Sequence, residues 1–235
     1  MTILKFKVWG DYAHFKKYYT TTSPLTFEFP PPPTLIGIIS AIIGLDKNEY
    51  LTYFQDASQF KLAIQLNQPV VKVRWTVNLI DTKKNFWLIH NRTQIRTEFL
   101  KNPAFTIFFR HEDPMIYDAL KNHLQNHTSV YSISLGLSEL LANFEFLDEP
   151  EFTEIQNQDY IDIDSVVPEE RLPDARSIEF ENGKEIFQVN FPVQMQPDRV
   201  VTRRSAFWFE RNAQSMKCKV PVYWQISSGE KIVFI

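Results

Sequence analysis

Between Asp11 and Thr22 the chain carries Tyr12, His14, Phe15, Lys16, Lys17, Tyr18 and Tyr19 in one short stretch. Rings and ammonium groups set this close together suit single-stranded RNA, whose bases stack on aromatic faces while its phosphates take lysine and arginine. Tyr12 and Phe15 read equally well as rings packed beneath the loop, with Lys16 and Lys17 in solvent above them. A second cluster gathers Arg74, Trp75, Lys83, Lys84, Trp87, His90, Arg92, Gln94 and Arg96. Much of it falls in a basic excursion of about 20 residues without a core pattern, a length that in a compact domain marks function or disorder. Arg92 and Arg96 are the strongest individual candidates there, because a guanidinium both stacks and donates paired hydrogen bonds. Their bland alternative is a solvent-facing pair that supports a loop. Gly136, in the turn Ser134-Leu135-Gly136-Leu137-Ser138, would let backbone amides approach a phosphate. Arg199, Arg203, Arg204 and Arg211 interleave with Phe207, Trp208 and Phe209, which suits an RNA groove, a partner surface or a solvated strand.

Catalytic and metal-binding patterns are weaker. Metal-independent RNA cleavage needs an acid or base near neutrality and a cation for the phosphorane oxygens. His14 beside Lys16 and Lys17, or His111 beside Arg110, could fill those roles, but no complete set can be assembled, and no catalytic residue is assigned. His123 and His127 stand four apart on an expected helix, a spacing compatible with metal, without an evident third ligand. No nucleotide-binding glycine motif occurs, and no cofactor is expected. Cys218 is the one cysteine, so no internal disulfide forms, and it reads as a buried apolar residue of a strand.

The formal net charge of −3 conceals an uneven distribution. Residues 1–111 carry 14 Lys or Arg against 7 Asp or Glu, residues 112–198 carry 4 against 19, and residues 199–235 carry 7 against 2. Screening confines each charge to about 10 Å, so a basic surface for phosphates coexists with an acidic middle. That middle, from Glu145 to Glu185, is expected to face solvent or a basic subunit. Leu35 to Leu45 is the most apolar stretch and is far shorter than the roughly 20 residues of a membrane span. With an N-terminus that alternates like a strand, the expectation is a soluble, cytoplasmic chain with no membrane contact.

The elements that must position these residues follow from periodicity. Ile3 to Trp9 alternates as a strand. Phe29 to Thr34 is an extended polyproline segment leading into a helix over Leu35 to Leu45, with Pro33 and Thr34 in its first turn. Gly37, Ser40, Ala41 and Gly44 form a small face on it, expected to lie against a sheet. Phe60 to Leu66, Val70 to Ile80, Ala104 to Phe109 and Leu140 to Leu147 read as strands, with Asp81 to Asn102 irregular. Pro114 to Asn126 reads as a second helix through Met115, Ala119, Leu120 and Leu124. This order is that of an α+β, RRM-like (ferredoxin-like) domain. Residues 1–148 are expected to form it, and residues 149–235 a β-rich C-terminal extension with a hairpin at Asn182-Gly183.

Three stretches taken together carry a family resemblance. They are Val8-Trp9-Gly10-Asp11-Tyr12-Ala13-His14-Phe15, Pro30 to Gly44, and Leu135-Gly136-Leu137-Ser138-Glu139. In this order and spacing the chain resembles the Cas-five family of the RAMP superfamily, a subunit of type I CRISPR surveillance (Cascade) complexes. Arg92 to Pro103 resembles the subtype of type I-B systems. The resemblance implies an RRM-like body with a protruding thumb hairpin over about residues 75–103. It implies further that the protein holds the 5′ handle of the crRNA, contacts a backbone subunit and the large subunit, and lies near target DNA through the complex. The residues expected from their own chemistry to contact RNA are Tyr12, His14, Lys16, Lys17, Arg74, Trp75, Arg92, Gln94, Arg96 and Gly136. Some type I-C relatives cut precursor crRNA, so a metal-independent endoribonuclease is the rival reading, and a protein-binding adaptor is a third.

Overall fold

The computed structural model describes residues 1–80 and 92–235. Lys83, Lys84, Trp87 and His90 lie outside the described residues. The N-terminal part contains β1 (Leu4–Trp9), β2 (Tyr12–Ala13), α1 (Pro32–Ile43), β3 (Phe60–Leu66), β4 (Lys72–Ile80), β5 (Arg92–Lys101), β6 (Ala104–His111), α2 (Pro114–Gln125) and β7 (Asn143–Asp148). Four of these strands form one antiparallel sheet in the order β3-β6-β1-β7. One helix lies in the crossover from β1 to β3 and the other in the crossover from β6 to β7.

The alternation of β1 sends Leu4, Phe6 and Val8 into the core. Pro31 caps α1 and Pro32 opens it, where the missing amides are orphaned in any helix. Gly44 closes it at φ 81°, with its amide on the Ser40 carbonyl. On α2 the Asp113 side chain accepts from the Met115 amide at 2.9 Å, and the buried stripe is Ile116, Tyr117, Leu120 and Leu124. Met115, expected in that stripe, is exposed.

The remaining strands are β8 (Phe152–Gln156), β9 (Tyr160–Ile163), β10 (Val167–Pro168), β11 (Ile186–Met195), β12 (Val201–Glu210), β13 (Met216–Lys219), β14 (Val222–Ile226) and β15 (Lys231–Ile232). They form small sheets ordered β10-β12-β11, β13-β9 and β15-β14-β8. Phe191, Phe207 and Phe209 from β11 and β12 join Phe27, Phe29 and α1 in the largest apolar cluster, so the C-terminal strands close the same core. Phe29 meets Phe191 edge-on with ring centroids 4.6 Å apart.

Three local expectations are corrected. Arg92 to Lys101, expected to be irregular, is β5, paired along its length with β4. Asn182-Gly183 makes a turn, with Gly183 at φ 87°, but its flanks do not pair with each other. Ile178 bridges Cys218, while β11 pairs with β12. The small face of α1 does not lie on a sheet: Gly37 and Ala41 line an open groove shared with Tyr50.

Candidate nucleic-acid interface

The β4–β5 ribbon has two chemically distinct faces, fixed by its register. Lys72 pairs with Leu100, Arg74 with Glu98, Thr76 with Arg96, Asn78 with Gln94 and Ile80 with Arg92. Directly paired residues share a face, so Lys72, Arg74, Arg92, Gln94 and Arg96 lie together. The opposite face carries Val73, Trp75, Val77, Leu79 and Ile95. Trp75 and Leu79 are exposed there, at 45% and 51%. Tyr12 on β2 meets the Trp75 ring edge-on at 4.3 Å and braces the base of this apolar face.

The polar face is anchored by Glu98. Its carboxylate accepts from Arg74 at 3.1 and 3.2 Å and lies 3.2 Å from Lys72. Burial pushes the Glu98 carboxyl up, but Lys72, Arg74 and the Thr26 amide outweigh it and hold the group below the usual carboxylate range. Among the described residues of the ribbon Glu98 is the one acid beside Lys72, Arg74, Arg92, Arg96 and Lys101. Further out, Arg92, Gln94 and Arg96 are all exposed.

Three other candidates have structural occupations. His14 is buried at 3% exposure, its Nδ1 2.7 Å from the Glu98 carbonyl and its ring beside Phe99. This corrects the expectation of a histidine facing RNA: Phe99 and the sheet edge enclose it. Lys17 donates to Glu28 at 3.1 Å and lies over the Phe27 ring. Phe15 is buried, whereas Lys16, Tyr18 and Tyr19 are exposed. Gly136 is exposed on the rim of the α1 groove, and its backbone packs on that of His14.

Charge elsewhere matches the sequence reading unevenly. Arg204 lies over the Tyr18 ring at 4.6 Å, tying the N-terminal loop to β12. Glu145, Glu151, Glu154 and Glu179 in the acidic middle are exposed. His123 is hydrogen-bonded to Thr128, and His127 stacks on Phe144. Among the described residues no three His, Cys, Asp or Glu side chains gather as a metal site, and no helix is long and apolar enough to cross a membrane.

Sequence reasoning missed a pocket of about 270 Å³ at the foot of the ribbon. Its walls bring Lys17, Glu28, Lys72, Phe187 and Arg211 together from three distant stretches, a convergence that no local spacing signals.

Comparison with known proteins agrees with this architecture. The chain is similar in fold to a crystal structure of a CRISPR protein from Archaeoglobus fulgidus, at 15% identity and a TM-score of 0.58, over 100% of this chain and 99% of the other. It is also similar to a chain described as "CRISPR RNA-guided surveillance complex", at 12% identity and a TM-score of 0.54, over 93% and 91% of the two chains. No curated protein matches it by sequence. A family model described as CRISPR-associated protein (Cas_Cas5) matches residues 3–216. The chain belongs to this family, the Cas-five proteins of CRISPR systems.

Proposed function

We propose that this protein is an RNA-holding subunit of a type I surveillance complex, gripping the 5′ handle of the crRNA without cutting it. The observation that carries the reading is the β4–β5 ribbon, whose one face carries Lys72, Arg74, Arg92, Gln94 and Arg96, with exposed Ile80 among them at its outer end, and whose other face exposes Trp75 and Leu79. Alternate residues on one strand face recur about 7 Å apart, so Arg92 and Arg96 stand about 13 Å apart with Gln94 between them, a row of donors along the ribbon. Trp75, Val77, Leu79 and Ile95 then suit the joining role, as a surface for the backbone or large subunit. That second face also favours the adaptor reading as a complement to RNA binding.

In this reading the sheet β3-β6-β1-β7 with its two helical crossovers is the RRM-like (ferredoxin-like) body over residues 1–148, and the ribbon is its thumb. Residues 149–235 are the β-rich extension. The type I-B subtype and the proximity of target DNA belong to the same proposal. Binding without turnover is supported by His14 and His111, the two histidines considered as acid–base groups. Both are buried and engaged: His111 Nε2 lies 3.2 Å from the Tyr53 carbonyl, and its Nδ1 accepts from the Asp113 amide at 3.0 Å. Incubation of the purified protein with labelled repeat-derived RNA, without divalent metal, tests this. Intact, bound RNA is the expected result. Specific cleavage abolished by His14→Ala or His111→Ala would move the endoribonuclease to first place.

A further inference from the structure

The sheet β3-β6-β1-β7 has two edges, and the fold treats them differently. Beyond β3 the Val166 amide donates to the Ile64 carbonyl at 2.9 Å and the Ile235 amide to the Leu62 carbonyl at 2.9 Å, so later chain covers that edge. At the other end β7 pairs with β1 alone. Among the described residues no other backbone hydrogen bond or bridge reaches Asn143 to Phe146. The Phe144 amide takes the Asn143 side chain at 2.9 Å, a local bond from an exposed residue that an incoming strand can displace. An unpaired row of N–H and C=O groups on an edge strand is a template for one more strand.

Proteins blunt such edges with Pro, Lys or a bulge. Here the register slips between Lys5 and Phe6, which leaves Leu147 as the extra residue of a bulge and ends the template at Phe146. Asn143 to Phe146 contains neither Pro nor Lys. Its two faces differ. Phe144 is buried, and half-buried Phe146 packs at the margin of the core. On the opposite face Asn143 and Glu145 are exposed. Glu145 pairs across the sheet with Lys7, whose ammonium lies over the Trp9 ring at 5.4 Å. The Glu145 carboxylate is thereby left to act on a neighbour at its open side. Glu139 and Asp148, before and after it in the chain, are exposed acids as well. Leu141 and Leu147 add apolar surface, at 65% and 42% exposure.

Charge chooses the occupant of this edge. Its acids repel a phosphate backbone. A second copy of the chain, paired antiparallel about a twofold axis, would set Glu145 opposite or diagonal to its own counterpart, and like charges so placed are destabilising. We propose that β7 accepts an extended segment of another protein as a further strand, one that places Lys or Arg opposite Glu145 and an apolar side chain opposite Phe146. Main-chain hydrogen bonds give the affinity of such strand addition, and the alternate side chains give its specificity. No residue of the β4–β5 ribbon takes part, so this binding goes beyond the RNA-holding reading and is independent of it.

The test uses the full chain and two short synthetic peptides, one alternating Val with Lys and the other Val with Glu. The Val-Lys peptide is expected to bind about tenfold tighter, the difference between an attractive and a repulsive cross-strand neighbour. Bound peptide should slow amide hydrogen exchange within residues 143–146. Glu145→Lys, a change at an exposed side chain, should reverse the preference, and Glu145→Gln should reduce it. The double variant Arg92→Ala, Arg96→Ala should bind the Val-Lys peptide as the wild type does, which separates this edge from the RNA-holding face. Equal affinity for the two peptides, binding of neither, or protection confined to other segments would overturn the proposal. Exchange at residues 143–146 that slows as the concentration of the protein alone is raised would assign the edge to a second copy and overturn it too.

Discussion

A Cβ placed on Gly136 would lie 2.0 Å from the backbone oxygen of His14, so the two segments meet at a separation that glycine alone permits. Gly136 also has φ 104°, in the left-handed region that side chains disfavour. The His14 amide donates to the Leu135 carbonyl at 2.9 Å, which fixes the turn against the N-terminal loop. Gly136→Ala should therefore cost about 3 kcal/mol in chemical denaturation, from backbone strain and overpacking together. An alanine variant as stable as the wild type would contradict this close approach.

Burial holds the His14 imidazole below the usual histidine range, with the neighbouring Lys16 charge acting in the same direction against the hydrogen bond to the Glu98 carbonyl. Because the folded-state value is depressed, the unfolded chain binds the proton more readily. The contribution to stability is present above the unfolded value of about 6.5 and is lost as pH falls through the lowered folded value. Denaturant midpoints of the wild type and His14→Gln should converge as pH falls from about 7.5 to about 5.5. A constant gap would show that His14 does not titrate differently in the two states.

Glu210 is buried at the end of β12 and accepts from the amides of Glu185 at 2.9 Å, Asn212 at 2.7 Å and Gln214 at 2.9 Å. It fixes the turn that carries Arg211 to the ribbon foot. Glu210→Ala leaves those donors unpaired and should cost roughly 3 kcal/mol, measured by urea unfolding. A change below about 0.5 kcal/mol, the usual scale for a surface site, would contradict the role.

The elements legible in the sequence were those whose own side chains decide their state. The apolar alternation of β1, the prolines that open α1 and the Asp113-Pro114 start of α2 each specify a local outcome. β5 was not legible because Arg92, Gln94 and Arg96 face solvent, and its strand state comes from pairing with β4. At Asn182-Gly183 the turn signal was sound, but Ile178 and β11 find partners in Cys218 and β12, far along the chain. His14 looked like a surface ligand among lysines until Phe99 covered it. The candidate site divides in the same way: Arg92 and Arg96 stand out as a basic pair, whereas the Phe187 pocket exists only after folding.

The most direct test of the central claim is the affinity of the purified protein for labelled repeat-derived RNA at two salt concentrations, compared with the double variant Arg92→Ala, Arg96→Ala. Binding should weaken steeply with salt, because phosphate contacts release counterions. The double variant should bind at least tenfold more weakly, with a shallower salt slope, if each lost contact contributes about 1 kcal/mol. Equal affinity and equal salt slope for the two proteins would contradict the assignment of RNA to the polar face of the ribbon.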